Sequence, residues 1–546
     1  MNKAFSLFIL ILCTVELPPS AFGEELESEA VTLTSSNLPI LLIDTRGRAI
    51  PDSFRIPAKL EVKYRTDGSR NFINDPSLLQ VDIAIEIRGS SSAYFDKKSY
   101  GFETRDSAGN NLNVSLLDMP RENDWILYGP YSDKSLIRNV LTFNLGRSMG
   151  RYASRTRFCE LVLNGRYQGL YVLMEKIKRD RNRVAIAELK PDDNQGDAVT
   201  GGYILKVDKR DTNPPGWTSP ARPVNGGEQI FFQYVYPKAE EITPEQKHYI
   251  QNYIYQFEAA LNSANYRDRE RGYLPFVDEL SFVDMMIINE LTKNIDGYRF
   301  STFMYKDRGG PLTMGPIWDY DLGFGNVDYG HERAMHPDGW MYNQSAGRMY
   351  WWPRMMQNYR FKLLLSRRWY DLRRSSFSNG RVLAVIDSLT QILDEAQKRN
   401  FQRWPVLGVY LWPNFFIGKT FTEEIDYLKS WILNRLEWMD RNMPYPNTSA
   451  EQVDEEIEGQ IVVFPNPFRD KVEFYLSPSP FPREVRIYNL LGQLVTSLNL
   501  PCGSTPNYIT WMEPAFDYGT LNAGIYFYHL FEDGKAVSHG RLVKIK

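Results

Sequence analysis

Three aspartates near the middle of the chain have the types and spacing for metal-assisted chemistry. Asp296 closes the run Asn289-Glu290-Leu291-Thr292-Lys293-Asn294-Ile295-Asp296. Asp319 and Asp321 lie in Trp318-Asp319-Tyr320-Asp321-Leu322-Gly323. Between them stand two strand candidates, residues 300–305 and 312–317, joined through Gly310-Pro311. A hairpin brings its two ends together, so Asp296 and Asp319 can share a site. Asp319 and Asp321 alternate and so point to one side of an extended segment. Carboxylates without soft ligands suit Mg²⁺ or Mn²⁺ bound together with phosphates. The same aspartates also suit the capping of turns, with Gly323 and Gly325 as turn formers.

Two further constellations bear on phosphate chemistry. Arg88-Gly89-Ser90-Ser91-Ser92 follows a strand candidate directly, and Lys97-Lys98 lies just beyond. A Gly/Ser turn can aim backbone N–H groups and hydroxyls at phosphate oxygens, and a nearby lysine supplies charge. Such turns are also ordinary hairpin connections. Glu175, at the end of the strand candidate Tyr171-Val172-Leu173-Met174-Glu175, suits either a carboxylate partner for a lysine or a solvated strand end. Zinc is not indicated, because three cysteines (Cys13, Cys159, Cys502) and five scattered histidines give no ligand spacing.

The elements that must position these residues follow from periodicity. Residues 81–88 alternate, with Val81, Ile83, Ile85 and Ile87 on one face, which reads as a half-buried strand. Residues 160–163 and 167–173 flank Asn164-Gly165 and read as a hairpin with a type I′ turn. Residues 244–264 and 280–293 read as helices. Residues 416–443 give the clearest one, with Ile425, Leu428, Ile432, Leu436 and Met439 at i+3/i+4 and Thr420 or Thr422 as cap. A β-rich front and a helix-rich back make the fold class α+β. The aromatic clusters around Trp340, Trp351-Trp352, Trp369, Trp404 and Trp412 read as core packing, with a groove for a planar ligand or sugar polymer as the alternative.

The ends read differently. Residues 1–23 read as a secretory signal, with Lys3, an uncharged apolar run and Ala21-Phe22-Gly23 as cleavage pattern. Residues 24–37 read as a linker, 38–446 as one large domain, and 447–458 as an acidic linker. Residues 459–546 hold seven short strand candidates and read as a small β-sandwich. No segment is long and apolar enough to span a bilayer. With 64 Lys+Arg against 67 Asp+Glu the formal net charge is −3 over 546 residues, which argues against a general nucleic-acid binder.

The last 90 or so residues resemble the type A sorting domain of the type IX secretion system of Bacteroidota. The resemblance rests on Phe464-Pro465-Asn466-Pro467-Phe468, Ile487-Tyr488-Asn489-Leu490-Leu491-Gly492, Leu521-Asn522-Ala523-Gly524-Ile525-Tyr526 and the final Gly540-Arg541-Leu542-Val543-Lys544-Ile545-Lys546. It implies the type IX machinery as a partner and a secreted or surface-exposed location.

The large domain resembles the spore-coat protein H (CotH) kinase family, an atypical, two-lobed protein-kinase-like fold. The motifs are Arg88-Gly89-Ser90-Ser91-Ser92 with Lys97-Lys98-Ser99-Tyr100, Asp133-Lys134-Ser135-Leu136-Ile137-Arg138-Asn139, Gly169-Leu170-Tyr171 with Glu175, Gly201-Gly202-Tyr203, and the Asp296/Asp319 pair. The resemblance implies phosphoryl transfer from ATP, with Mg or Mn, to a protein hydroxyl. On it, Lys98 contacts nucleotide phosphates beside Arg88 and Ser91, Glu175 orients Lys98, Asp296 accepts the proton of the attacking hydroxyl, and Asp319 with Asp321 holds the metal. Kinase-like loops usually carry an Asn five residues after the catalytic Asp, and here Ser301 stands there as a weaker ligand. That departure keeps open a catalytically weak surface protein that binds partners or glycans.

Overall fold

In a computed structural model, residues 31–444 are described except 211–212, 225–227, 331–332 and 345–348. Residues 461–544 are described except 465, 467, 469–470, 477–480, 502–507 and 513–521. The expected signal (1–23), most of the first linker, the acidic linker (447–458) and Cys502 lie outside the described residues.

The front of the chain closes into a seven-stranded barrel. Its strands are β1 (Ile40–Asp44), β2 (Ile56–Lys63), β3 (Leu79–Arg88), β4 (Ser99–Arg105), β5 (Asp124–Tyr128), β6 (Thr156–Leu163) and β7 (Arg166–Glu175). Strand alternation sets the interior: Val81, Ile83 and Ile85 face inward with Leu41, Leu60, Phe102, Trp125, Leu161 and Leu173. The β6–β7 turn has both Asn164 (φ 49°) and Gly165 (φ 76°) left-handed, as a type I′ turn requires. Closure comes from one parallel pairing, Ile40 to Glu160 through Ile43 to Leu163, between strands over a hundred residues apart. Cys159 is a free thiol buried in this barrel.

The helix α1 (Arg138–Ser148) crosses from β5 to β6. A five-stranded antiparallel sheet follows, built from β8 (Tyr203–Val207), β9 (Gly216–Thr218), β10 (Phe231–Tyr236), β11 (Thr302–Lys306) and β12 (Leu312–Met314). Its order is β9-β10-β8-β11-β12. The expected hairpin exists as β11–β12, with Met304 opposite Met314.

Helices α2 (Pro244–Asn262), α3 (Glu279–Thr292), α4 (Trp351–Met355), α5 (Tyr359–Arg373), α6 (Asn379–Ile392), α7 (Asp394–Arg403) and α8 (Phe421–Asn442) complete the main body. α2 opens with a capping box between Thr243 and Gln246. α8 starts at Thr420, whose hydroxyl accepts from the Glu423 N–H, and buries Ile425, Leu428, Ile432, Leu436 and Met439. α3 is buried along nearly its whole length and packs against α5, α8 and β12. Trp351, Trp352 and Trp369 lie in the same core, so the packing expectation holds for them. Trp412 is instead exposed.

After the main body, β13 (Ile461–Phe464), β14 (Lys471–Leu476), β15 (Arg483–Tyr488), β16 (Leu494–Leu500), β17 (Tyr508–Met512), β18 (Gly524–Glu532) and β19 (Lys535–Lys544) form two sheets. Their orders are β13-β14-β17 and β16-β15-β18-β19, and both bury side chains in one shared core. Arg367 of α5 reaches Glu473 of β14 at 2.8 Å. No helix among the described residues is long and apolar enough to cross a membrane.

Candidate active site

The candidate residues lie where the barrel rim, the end of β8 and the two loops flanking β11–β12 meet. α3 terminates because Lys293 adopts a left-handed cap (φ 49°), which frees residues 294–301 to turn across the helix end. Asn294 holds this loop to the next one: its amide donates to the Asp319 carbonyl at 3.1 Å, and its side-chain oxygen accepts from the Asp296 N–H at 3.2 Å. Tyr298 anchors the loop below through its hydroxyl to Glu290 at 2.9 Å. On the opposite side, the Tyr320 N–H donates to Asn139 at 2.7 Å and its hydroxyl to Asn289 at 2.7 Å. Tyr298 (φ 69°), Ser301 (φ 47°), Asp319 (φ 69°) and Phe324 (φ 54°) are all left-handed. Each costs a non-glycine residue about 1–2 kcal/mol, and such strain concentrates where a site needs a particular backbone.

The three aspartates come together as the hairpin argument expects. Ser301 Oγ donates to Asp319 Oδ2 at 3.1 Å, and Asp296 acts on Asp319 through space. Asp296 is nearly buried and paired with Arg299 at 2.8 Å. Asp321 accepts from the Tyr128 hydroxyl at 3.2 Å. Burial pushes the Asp321 carboxyl up to about 8, with the charges of Asp319 and Asp133 adding to it. Surrounding protein and the facing Asp296 also raise Asp319. Asp319 keeps solvent access, so water screens its shift more than that of Asp321. Tyr329 faces the same charges, and its hydroxyl is pushed well up by burial and by Asp296.

Cationic groups approach from the barrel side. Arg88, at the end of β3, lies 5.6 Å from the centre of the Trp318 ring and interacts with Asp319. Ser91 sits in the turn between β3 and β4, and its hydroxyl meets the Lys209 ammonium at 3.1 Å. Lys209 follows β8 and also acts on Asp319. Asp208 beside it accepts from the Ser301 N–H at 3.3 Å and pairs with Lys206 at 2.7 Å.

Lys98 and Glu175 are not brought together. Lys98 donates to the Ala93 carbonyl at 2.9 Å, within its own turn. Glu175 is fully buried and is held by Arg155 (2.9 Å), the Tyr152 hydroxyl (3.1 Å) and the Arg155 N–H (2.9 Å). Its strand runs toward the far end of the barrel from the turn, so the pairing that the family resemblance implies is not formed here. Lys97, not Lys98, is the buried lysine, and it donates to the Leu170 carbonyl and Asn400.

Sequence reasoning missed Asp208, Lys209, Arg299 and Tyr128. The available signal for the first two was a charged run, Lys206-Val207-Asp208-Lys209-Arg210, at the end of an otherwise apolar strand.

The residues fit a divalent cation of a particular kind. Among the described residues no three His, Cys, Asp or Glu side chains make a metal cage by themselves. Asp319 and Asp321 nevertheless crowd two carboxyl groups together, without an ion pair at contact distance among the described residues, so that each resists ionisation until a cation joins them. Such a pair suits Mg²⁺ or Mn²⁺ completed by phosphate oxygens and water.

A family model described as CotH kinase protein matches residues 85–439. The chain belongs to this family. A second model, described as secretion system C-terminal sorting domain, matches residues 462–544. That match implies a secreted or cell-surface protein. No curated protein matches the chain. Two solved structures overlap parts of it. The dimeric latent PorU of Porphyromonas gingivalis is 23% identical over 16% of this chain and 9% of that one, with a TM-score of 0.14. The DNA glycosylase AlkC of Pseudomonas fluorescens, bound to DNA with an abasic-site analogue, is 12% identical over 36% of this chain and 72% of that one, with a TM-score of 0.12. The CotH match begins inside β3, while the barrel closes only through β1 and β2 ahead of it.

Proposed function

We propose that the chain is a secreted kinase-like phosphotransferase that moves the terminal phosphoryl group of ATP to a Ser or Thr hydroxyl of a protein. The observation that carries this reading is the meeting of two charge sets: Asp296, Asp319 and Asp321 on one side, Arg88 and the Ser91 turn with Lys209 on the other. Family membership supports it. A two-lobed arrangement is part of the proposal, with the barrel as one lobe and the helical body as the other.

In this reading Arg88 and the Ser91 turn hold phosphate oxygens. Asp296, kept in place by Arg299, accepts the proton of the attacking hydroxyl. The new O–P bond forms at the γ-phosphorus as the bond to the bridging oxygen breaks, and ADP leaves with that electron pair. Asp319 and Asp321, with the Ser301 hydroxyl, hold Mg²⁺ or Mn²⁺, which when bound screens phosphate charge. We further propose the division into a signal (1–23), a linker (24–37), a CotH domain (38–446), an acidic linker (447–458) and a sorting domain (459–546) that the type IX machinery reads.

Ser301 favours a second reading, a kinase-like surface protein of weak or no activity that binds partners or glycans. Its hydroxyl donates to Asp319, and its oxygen is a weaker metal ligand than an amide oxygen would be. Titration of the full chain with ATP in a calorimeter separates these. The enzyme reading expects binding that needs Mg²⁺ or Mn²⁺ and is lost in Asp319→Asn. Absence of nucleotide binding with either ion overturns it.

A further inference from the structure

Besides Arg88, the site holds a second cation, Lys209, whose charge no carboxylate among the described residues answers at close range. Lys209 lies two residues past the end of β8, which places it beside the Ser91 turn rather than on the sheet. Its ammonium meets Ser91 Oγ at 3.1 Å and lies 5.8 Å from the centre of the Phe300 ring. The neighbouring Asp208 is taken by Lys206 at 2.7 Å, by the Ser301 N–H and by the Lys209 backbone N–H at 2.9 Å. Among the described residues no carboxylate stands within ion-pair distance of the Lys209 ammonium, although it interacts with Asp319 through space. An ammonium has three donors. One is used on Ser91, and the others are free for an incoming oxyanion.

We infer that Lys209 is the lysine that contacts the nucleotide's phosphates, in the place that the family resemblance assigns to Lys98. The inference rests on the phosphotransferase reading and names its charge donor. Three features support it. Lys209 bridges the Gly/Ser turn and the aspartate wall, so an anion between them meets the ammonium, the Ser91 hydroxyl and the metal-holding carboxylates together. The Phe300 ring steadies the side chain without neutralising it. Lys98, by contrast, is tied to the Ala93 carbonyl of its own turn, and its expected partner Glu175 is fully engaged by Arg155 and Tyr152. A bound phosphate also draws Lys209 and Asp319 into one charge-balanced group, which links nucleotide binding to order in the Ser91 turn.

The test is calorimetric titration of the full chain with ATP and Mg²⁺, in wild type, Lys209→Met, Lys209→Arg and Lys98→Met. Removing one charge-assisted hydrogen bond to a phosphate weakens binding by roughly tenfold to a hundredfold. The expected result is that weakening in Lys209→Met, most of the affinity kept in Lys209→Arg, and near wild-type binding in Lys98→Met. Adenosine, which has no phosphate, is expected to bind Lys209→Met and wild type alike. Unchanged thermal melting of Lys209→Met shows that the variant is folded. ATP binding by wild type that survives in Lys209→Met, or that disappears in Lys98→Met alone, overturns the inference and leaves the phosphotransferase reading standing. A wild-type chain that binds no ATP overturns both.

Discussion

Replacing Arg435 with Met unpairs a charge buried beneath the loop that carries Asp296, and the structure sets the size of the effect. Glu290 and Arg435 are both buried almost completely and meet at 3.2 Å. Glu290 also accepts from the Tyr298 hydroxyl and from the N–H groups of Met341 (2.8 Å) and Tyr342 (2.7 Å). Arg435 donates to the carbonyls of Glu290 (2.7 Å), Pro337 (2.8 Å) and Gly339 (2.7 Å). Burial raises Glu290 despite Arg435, and lowers Arg435 to about 10 despite Glu290. Desolvation therefore outweighs the mutual attraction at both partners, and the pair is better understood as a positioning device than as net stabilisation. Removing one partner is a different matter, because the survivor stays buried and charged. Arg435→Met is expected to cost about 3–5 kcal/mol, which lowers the urea midpoint of the main body by roughly 1 M or more at a slope of about 3 kcal/mol/M. Without Arg435 the Glu290 carboxyl rises further above its ordinary 4.5. A carboxyl whose folded pKa exceeds its unfolded value holds its proton longer in the folded state, so stability falls as pH rises above the unfolded value. The deficit of Arg435→Met should thus be larger at pH 8 than at pH 5, and Glu290→Gln in the same background should remove that difference. Urea titrations at the two pH values decide. A loss below about 1 kcal/mol, or one equal at both pH values, is incompatible with a buried, unpaired carboxylate.

Other perturbations follow from the same physics. Burial lowers Lys97 from 10.5 to about 7, with Glu160 opposing. The unfolded chain then binds more protons between those values, so this lysine makes stability rise with pH there. Lys97→Met should flatten the urea-midpoint slope between pH 7 and 9, and an unchanged slope would contradict the burial. Gly201 has no room for a side chain, because a Cβ would stand 2.0 Å from the Arg308 backbone nitrogen. Gly201→Ala is expected to lower stability by about 1–3 kcal/mol or more, read as a drop in melting temperature, whereas the same change at Gly380, which has open space, should be nearly silent. Thr420→Ala removes the cap of α8 and should cost about 1 kcal/mol, with Thr420→Ser recovering most of it.

Periodicity made the long elements readable. The i+3/i+4 stripe of α8 and the alternation of β3 each specify which face is buried, and both faces are buried as expected. The closing of the barrel was not readable, since the pairing of β1 with β6 joins segments over a hundred residues apart and has no local signature. The aspartate cluster was legible for the opposite reason: a short hairpin fixes the distance between its ends. Lys209 escaped notice because its contact with Ser91 spans two separate sheets. The surroundings of Glu175 were not legible, because a motif match says nothing about the other residues, here Arg155 and Tyr152, that compete for a carboxylate.

Phosphoryl transfer itself can be measured. The full chain is incubated with γ-labelled ATP and Mg²⁺ or Mn²⁺, and protein-bound label is followed on the chain and on added proteins. Acid-stable label on Ser or Thr is expected, requiring the divalent ion and vanishing in both Asp296→Asn and Asp319→Asn. Label that persists in either variant, or none with wild type under either ion, contradicts transfer from this site.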